Sequence, residues 1–330
     1  MLTAATAHDR RVLVPDLDAV PPRPDGATGY ALSGRAFATG WSVRLYADAA
    51  PQGLTERIQA RLDDIDREMS PYRVDSDLTR FNLAPAGHFV ALPARMMTVV
   101  AHALDIAALT DGAFDPAILP AVELWGFGAK TVAPGVPDPT EVSALKSGGW
   151  RDLTWRADGM IKPSEVRIDL CAIAKGFAVD EVLRLVRSEP GVRSALVEIG
   201  GELAGWGVQS DGQPWWVDVE TPSGKRTVAA LCGGAVATSG EIIRHFSHGG
   251  QLYSHTMDGA TQSPTRSDVV SATVFDPACW RADALATALT VMGGTRALAF
   301  AAKHDIACLL SLREGATVRD GLSPALEAWL

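Results

Sequence analysis

Ser194-Ala195-Leu196-Val197-Glu198-Ile199-Gly200-Gly201-Glu202-Leu203-Ala204-Gly205 is two short apolar runs split by a glycine pair. Runs of that length, bounded by turn residues, read as neighbouring strands of an antiparallel sheet. The pattern continues downstream. Trp215 to Glu220, Thr227 to Leu231 and Ala235 to Ala237 alternate or run apolar, with Pro222-Ser223-Gly224 as a further break. Val269 to Phe275 and a last strand, Ile306 to Leu312, follow. Upstream, Phe37 to Tyr46 alternates as a strand, and short strands are expected at Leu153–Arg156 and Val166–Leu170.

Helices fill the intervals. Leu54, Ile58, Leu62, Ile65 and Met69 recur every three or four residues, and the run stops at Ser70-Pro71. Asp75 to Phe81 predicts a short helix with Asp75 or Ser76 as N-cap. Ala94 to Leu109, Thr140 to Ser147, residues 172–187, Ala282 to Met292 and Thr295 to Lys303 complete the set. Long helices beside a run of hairpin strands indicate an α+β chain rather than a doubly wound sheet.

The 330 residues are 47% hydrophobic, enough for a sizeable core and one or two domains. A net charge of −9 without a basic block argues against broad nucleic-acid binding. The four cysteines are far apart with no CxxC spacing, which favours reduced thiols and a cytoplasmic setting. Met1 to Pro24 shows no signal-peptide pattern and no cysteine for a lipid anchor, and no apolar run reaches transmembrane length. Asp16 to Gly26 is rich in Pro and Asp, so residues 1–36 are expected as a partly disordered leader.

Ile168-Asp169-Leu170-Cys171-Ala172-Ile173-Ala174-Lys175-Gly176-Phe177-Ala178-Val179-Asp180 runs from a strand end into a helix. A helix N-terminus with a lysine is a seat for an anion, although a plain strand-to-helix turn with a solvated lysine has the same look. Four other places bear on chemistry. Asp283 and Thr287 share a helix face; they suit Mg²⁺ as hard oxygen donors, or favour the helix dipole and pack. In Thr110-Asp111-Gly112-Ala113-Phe114-Asp115-Pro116, Gly112 fits a helix C-cap and Asp115 the N-cap of a helix begun by Pro116. The same carboxylate could hold a heteroaromatic base. Tyr72 either stacks on a flat ring or fills the core. His255 and Asp258 form a pair able to relay a proton, with a structural histidine as the alternative.

Together these residues resemble the ApbE family of FAD:protein FMN transferases. The resemblance rests on Met69-Ser-Pro-Tyr72, Ser76 to Asn82, Asp111-Gly-Ala-Phe-Asp115, Leu124-Trp-Gly-Phe-Gly128, Asp169 to Gly176, Gly200-Gly201, Thr238-Ser-Gly240, His255 to Asp258 and Ala282 to Thr287, in that order. It implies a T-fold-related architecture over residues 37–330, antiparallel sheets with packed helices, and two lobes around an FAD cleft. It implies Mg²⁺-dependent transfer of FMN from FAD to a threonine hydroxyl of an acceptor flavoprotein, with AMP released. By resemblance, Tyr72, Ala113, Phe114, Asp115, Asp169, Lys175 and Met257 contact FAD. The Ala172 carbonyl, Asp283 and Thr287 hold Mg²⁺, and His255 and Asp258 are catalytic. Two alternatives stand beside transfer: hydrolysis of FAD to FMN and AMP, and FAD binding without catalysis.

The sequence departs from the family in two places. The family's His-Ile-Ile-Asp-Pro-Arg-Thr-Gly is here His255-Thr-Met-Asp-Gly-Ala-Thr-Gln262, which predicts a more mobile loop lacking a positive charge. The Met-Gly-Thr near the first strand is Ala38-Thr39-Gly40.

Overall fold

The structure, a computed structural model, describes residues 10–330 apart from 18, 130–132, 165 and 241–244. Residues 1–9 of the expected leader therefore lie outside the described residues.

Its centre is an eight-stranded, wholly antiparallel sheet. In spatial order the strands are Thr317–Leu322, Ala307–Glu314, Val269–Asp276, Gly233–Gly240, Glu202–Trp206, Val192–Ile199, Thr39–Ala47 and Thr28–Ala36. The stretch quoted first forms the inner hairpin, Ile199 opposite Glu202 across the Gly-Gly turn. Residues 48–191 are an excursion between two neighbouring strands. They carry α1 (Leu54–Met69), α2 (Asp77–Leu83), α3 (Ala94–Leu109), α4 (Leu119–Leu124), α5 (Pro139–Ser143) and α6 (Cys171–Ser188). Later come α7 (Cys279–Met292) and α8 (Gly294–Lys303).

The inner strands read as continuous apolar runs because both faces of the sheet are covered. Ala195, Val197, Ala235, Ala237, Ala272, Val274, Cys308 and Leu310 face the helices in the main core. Their alternates Leu196, Val236, Phe275 and Leu309 face a second core under a three-stranded sheet. That small sheet joins Arg10–Leu13, parallel, to Arg226–Leu231, which pairs antiparallel with Trp215–Val219.

Four expectations need correction. The leader is structured over much of its described part: Thr28–Ala36 is an edge strand of the main sheet, and Arg10–Leu13 pairs in the small one. Val14 N–H donates to the Trp329 carbonyl at 3.0 Å, tying this end to the C-terminus. The hairpin was missed because its two-residue turn, Phe37-Ala38, has φ of 52° and 59° without the usual Asn-Gly signature. Phe37 and Ala38 thus belong to the turn, and the strand expected from Phe37 begins at Thr39.

Val166 to Leu170 is extended and alternately buried but pairs with no strand among the described residues. The Asn82 side chain takes the place of a neighbouring strand: its Oδ1 accepts from Ile168 N–H and its Nδ2 donates to Ile168 O, both at 2.8 Å. Asp115 and Pro116 open no helix; α4 starts four residues beyond Asp115, with Pro120 in its first turn. Finally, Ala307–Glu314 is not the last strand, since Thr317–Leu322 pairs along it.

Candidate active site

The site is built where α6 crosses α7. At Gly176 the helices touch backbone to backbone: a Cβ there would lie 2.4 Å from the Cys279 carbonyl oxygen and 2.8 Å from Trp280 Cα. Asp180, one turn further along α6, accepts from the Cys279 and Trp280 N–H groups, both at 2.9 Å. It thereby satisfies two orphan donors at the start of α7. Burial pushes its carboxyl up to about 6, and these two bonds oppose the shift.

This clamp sets the position of Asp283, one turn into α7. Its Oδ2 accepts from Gly176 N–H at 3.0 Å. In a regular helix that N–H would bond the carbonyl four residues back, which is Ala172. Ala172 has non-helical angles, φ −88° and ψ 15°, inside α6. The turn expected to seat an anion is thus distorted where Asp283 meets it. Asp169 makes an Asx turn just before it, its Oδ1 accepting from Cys171 N–H at 2.7 Å. Thr287 stands one turn beyond Asp283 and is partly exposed.

Lys175 is not a solvated lysine. Its Nζ donates to Glu202 Oε1 at 2.6 Å. Glu202 opens the strand after the Gly-Gly turn and is 3% exposed; its Oε2 has no hydrogen-bond partner. Burial opposes charge on Lys175, yet Glu202 and Asp283 hold the ammonium above its usual range. Burial, then the Asp283 charge, pushes Glu202 up; burial also pushes Asp283 up. Two buried carboxylates thus share one lysine, leaving one negative charge in excess when both are ionised.

Glu202 was missed from the sequence. The available signal was its phase: in Glu202-Leu203-Ala204 it shares the buried face of Ala204. A charged residue on an inward face needs a partner.

A second group of expected residues meets at the loop after His255. Asp115 is buried, and its Oδ1 accepts from Ala117 N–H at 2.7 Å, an Asx turn rather than a helix cap. Gly259 lies directly on it: a Cβ at 259 would be 2.7 Å from Asp115 Cβ and 3.1 Å from the Gly112 carbonyl oxygen. The loop is therefore held rather than loosened by its glycine.

Further bonds fix it. Asp258 Oδ1 accepts from Ala260 N–H at 2.9 Å, and Oδ2 from the Thr261 hydroxyl at 3.1 Å. Ser147 Oγ donates to Gly259 O at 2.9 Å, and Trp125 Nε1 to Gln262 O at 3.1 Å. Gln262 takes φ 53°, a left-handed angle suited to the glycine of the family pattern. Its Nε2 donates to Gly259 O at 2.7 Å, offsetting part of that strain.

The remaining residues differ in exposure. Asp258 is a loop-fixing carboxylate by these bonds. His255 packs edge-on to Phe127, ring centroids 6.4 Å apart. Met257 and Phe114 are buried in apolar clusters, while Ala113 is partly exposed. Tyr72 is 54% exposed on the turn after α1, which removes the core reading.

Burial holds Asp115 at about 6, above its ordinary 3.8; the Ala117 N–H and the Arg151 charge pull the other way. A raised carboxyl contributes stability below its ordinary value and loses it as pH climbs through the folded value. Asp115→Asn does not titrate. It should gain on the parent protein by roughly 2–3 kcal/mol between pH 4 and 7.5 in paired denaturant melts. A difference independent of pH would place Asp115 in water.

Residues 37–310 match the model of the ApbE family. The chain belongs to the ApbE family. The FAD:protein FMN transferase of Vibrio cholerae serotype O1 is 35% identical over 308 residues, 91% of this chain and 92% of that protein. The apo Pseudomonas stutzeri flavinyl transferase ApbE superposes with TM-score 0.86 at 33% identity, covering 92% of this chain and 97% of that one. The flavin transferase ApbE of Vibrio cholerae gives 0.83 at 32% identity, covering 92% and 100%. The α+β architecture with antiparallel sheets is that of these ApbE structures.

Among the described residues no three His, Cys, Asp or Glu side chains group to hold a metal. A cation at Asp283 in this ApbE chain would need carbonyl, hydroxyl and water oxygens besides the carboxylate.

Proposed function

We propose that this chain is a Mg²⁺-dependent FAD:protein FMN transferase that moves FMN onto a threonine hydroxyl of an acceptor flavoprotein and releases AMP. Family membership supports the reading, as do the names of relatives that span nine-tenths of the chain. One observation carries it: the buried Asp283 carboxylate, bonded to Gly176 N–H beside the Lys175–Glu202 pair, so that two carboxyl groups lie with a single lysine.

That donor set fits a hard cation that keeps several waters. Asp283, the Thr287 hydroxyl and the Ala172 carbonyl would hold Mg²⁺. When bound, Mg²⁺ would offset charge building on the phosphate oxygens. FAD would lie in a cleft between two lobes, with the Tyr72 face against its flat ring and Asp115, Ala113, Phe114, Asp169 and Met257 around it. Lys175 has three N–H donors and gives one to Glu202; the others would serve a phosphate.

The threonine oxygen forms a bond to the FMN phosphorus as the bond to the AMP oxygen breaks. The hydroxyl proton passes to His255, and Asp258 holds the loop that carries it. A cytoplasmic setting belongs to the same reading, supported by the buried thiols of Cys232, Cys279 and Cys308, none of which is in a disulfide. No helix among the described residues is long and apolar enough to cross a membrane.

The test is incubation with FAD, Mg²⁺ and a candidate acceptor, with intact mass and nucleotide chromatography. Acceptor gaining an FMN phosphoester with equimolar AMP is expected. Free FMN and AMP with every acceptor tried would establish the hydrolase instead, and bound FAD without AMP a binding protein.

Tyr72→Ala should weaken FAD binding by about 1–2 kcal/mol, roughly 5- to 30-fold. At 54% exposure its loss should lower the ligand-free melting temperature by only about 1–2 °C. A large stability loss with unaltered FAD affinity would make it a packing residue.

A further inference from the structure

Glu202 Oε2 is a buried carboxylate oxygen with no hydrogen-bond partner. Native proteins leave few such atoms, because a buried acceptor without a donor has lost its water for nothing in return. Ionised, it lacks a donor; protonated, it would be a donor lacking an acceptor. Its sister oxygen holds Lys175 at 2.6 Å, so the side chain is fixed and Oε2 has a set direction. Asp283 accepts from the N–H of Gly176, the residue next to Lys175, at 3.0 Å, so both buried carboxylates are held by adjacent residues of α6. A water molecule bound to a cation at Asp283 would bring a donor to Oε2.

We propose that Glu202 is a positioning residue for the divalent cation: Oε2 accepts a hydrogen bond from a water on the ion held by Asp283, while Oε1 anchors Lys175. The ion and the phosphate-binding lysine are thereby set by one side chain. This rests on the reading that a cation binds at Asp283.

The probe is Mn²⁺ alone, titrated into the full chain with free Mn²⁺ read by electron paramagnetic resonance. Glu202→Gln keeps the shape and should raise the Mn²⁺ dissociation constant by about 10- to 100-fold. Lys175→Met separates the two roles of Glu202. In that background Glu202→Met, which offers no acceptor to the water, should still weaken Mn²⁺ at least about tenfold. The double variant replaces both members of the ion pair with neutral side chains, so it folds even if Glu202→Gln alone does not.

If Glu202→Met has no effect once Lys175 is Met, Glu202 only neutralises the lysine and the proposal falls. Asp283→Asn distinguishes this from failure of the metal reading. Loss of Mn²⁺ binding in Asp283→Asn with none in Glu202→Gln would leave the metal site and remove Glu202 from it. Unchanged binding in Asp283→Asn would remove both.

Discussion

Asp283→Ala should reduce Mg²⁺-dependent release of AMP from FAD by at least about 100-fold at limiting Mg²⁺ while the chain stays folded. Asp283 is the one carboxylate in the proposed ligand set, and Lewis-acid stabilisation of a phosphoryl transfer is worth several kcal/mol, with about 1.4 kcal/mol per tenfold in rate. The fold should tolerate the change for an electrostatic reason. Asp283 is 6% exposed and burial disfavours its charge, so removing it relieves a cost as well as a bond to Gly176 N–H. Circular dichroism and thermal melting would check the fold, chromatography the AMP. Full activity at limiting Mg²⁺ would sink the ligand assignment.

Gly176→Ala should be severely damaging for a change of one methyl group. Its Cβ would lie 2.4 Å from the Cys279 carbonyl oxygen and 2.7 Å from the Cys279 carbonyl carbon, both backbone atoms that no rotamer can move. The helices would have to part, which breaks the Gly176–Asp283 bond and the Asp180 clamp on α7 together. We expect at least about 3 kcal/mol of destabilisation, a fall in melting temperature of roughly 5–10 °C, with activity lost alongside. Gly233→Ala is the control: a Cβ there meets nothing within 4 Å, and it should change stability by less than about 1 kcal/mol. Equal losses in the two variants would show that the crossing is not close-packed as described.

Periodicity was informative where one element buries one stripe. The run Leu54, Ile58, Leu62, Ile65, Met69 forms α1 with all five buried, and Ser76, one of the two N-caps proposed, accepts from Thr79 N–H at 3.0 Å. The ordered set of short motifs was specific enough to identify the ApbE family, because many weak matches in one order are jointly rare. The leader was misjudged for a local reason: the Phe37-Ala38 turn holds left-handed angles with residues that do not advertise them. The same blindness hid the loop after His255. Loss of proline predicted mobility, but the contact of Gly259 with Asp115 joins positions 144 apart and leaves no mark in either neighbourhood.

By itself, the sequence determined the strands and helices that repeat a local period, the α+β class, the family, and the Asp283/Thr287 face, since four-residue spacing on a helix is a local property. Tertiary structure alone decided which of these residues meet. The partner of Lys175 is Glu202, at the turn of the inner hairpin and 27 positions away, and the partner of Gly176 N–H is Asp283, 107 positions away. Those pairings arise from a helix crossing that only a glycine permits and from burial that leaves charged groups no water to turn to, and neither is written in the spacing of neighbouring residues.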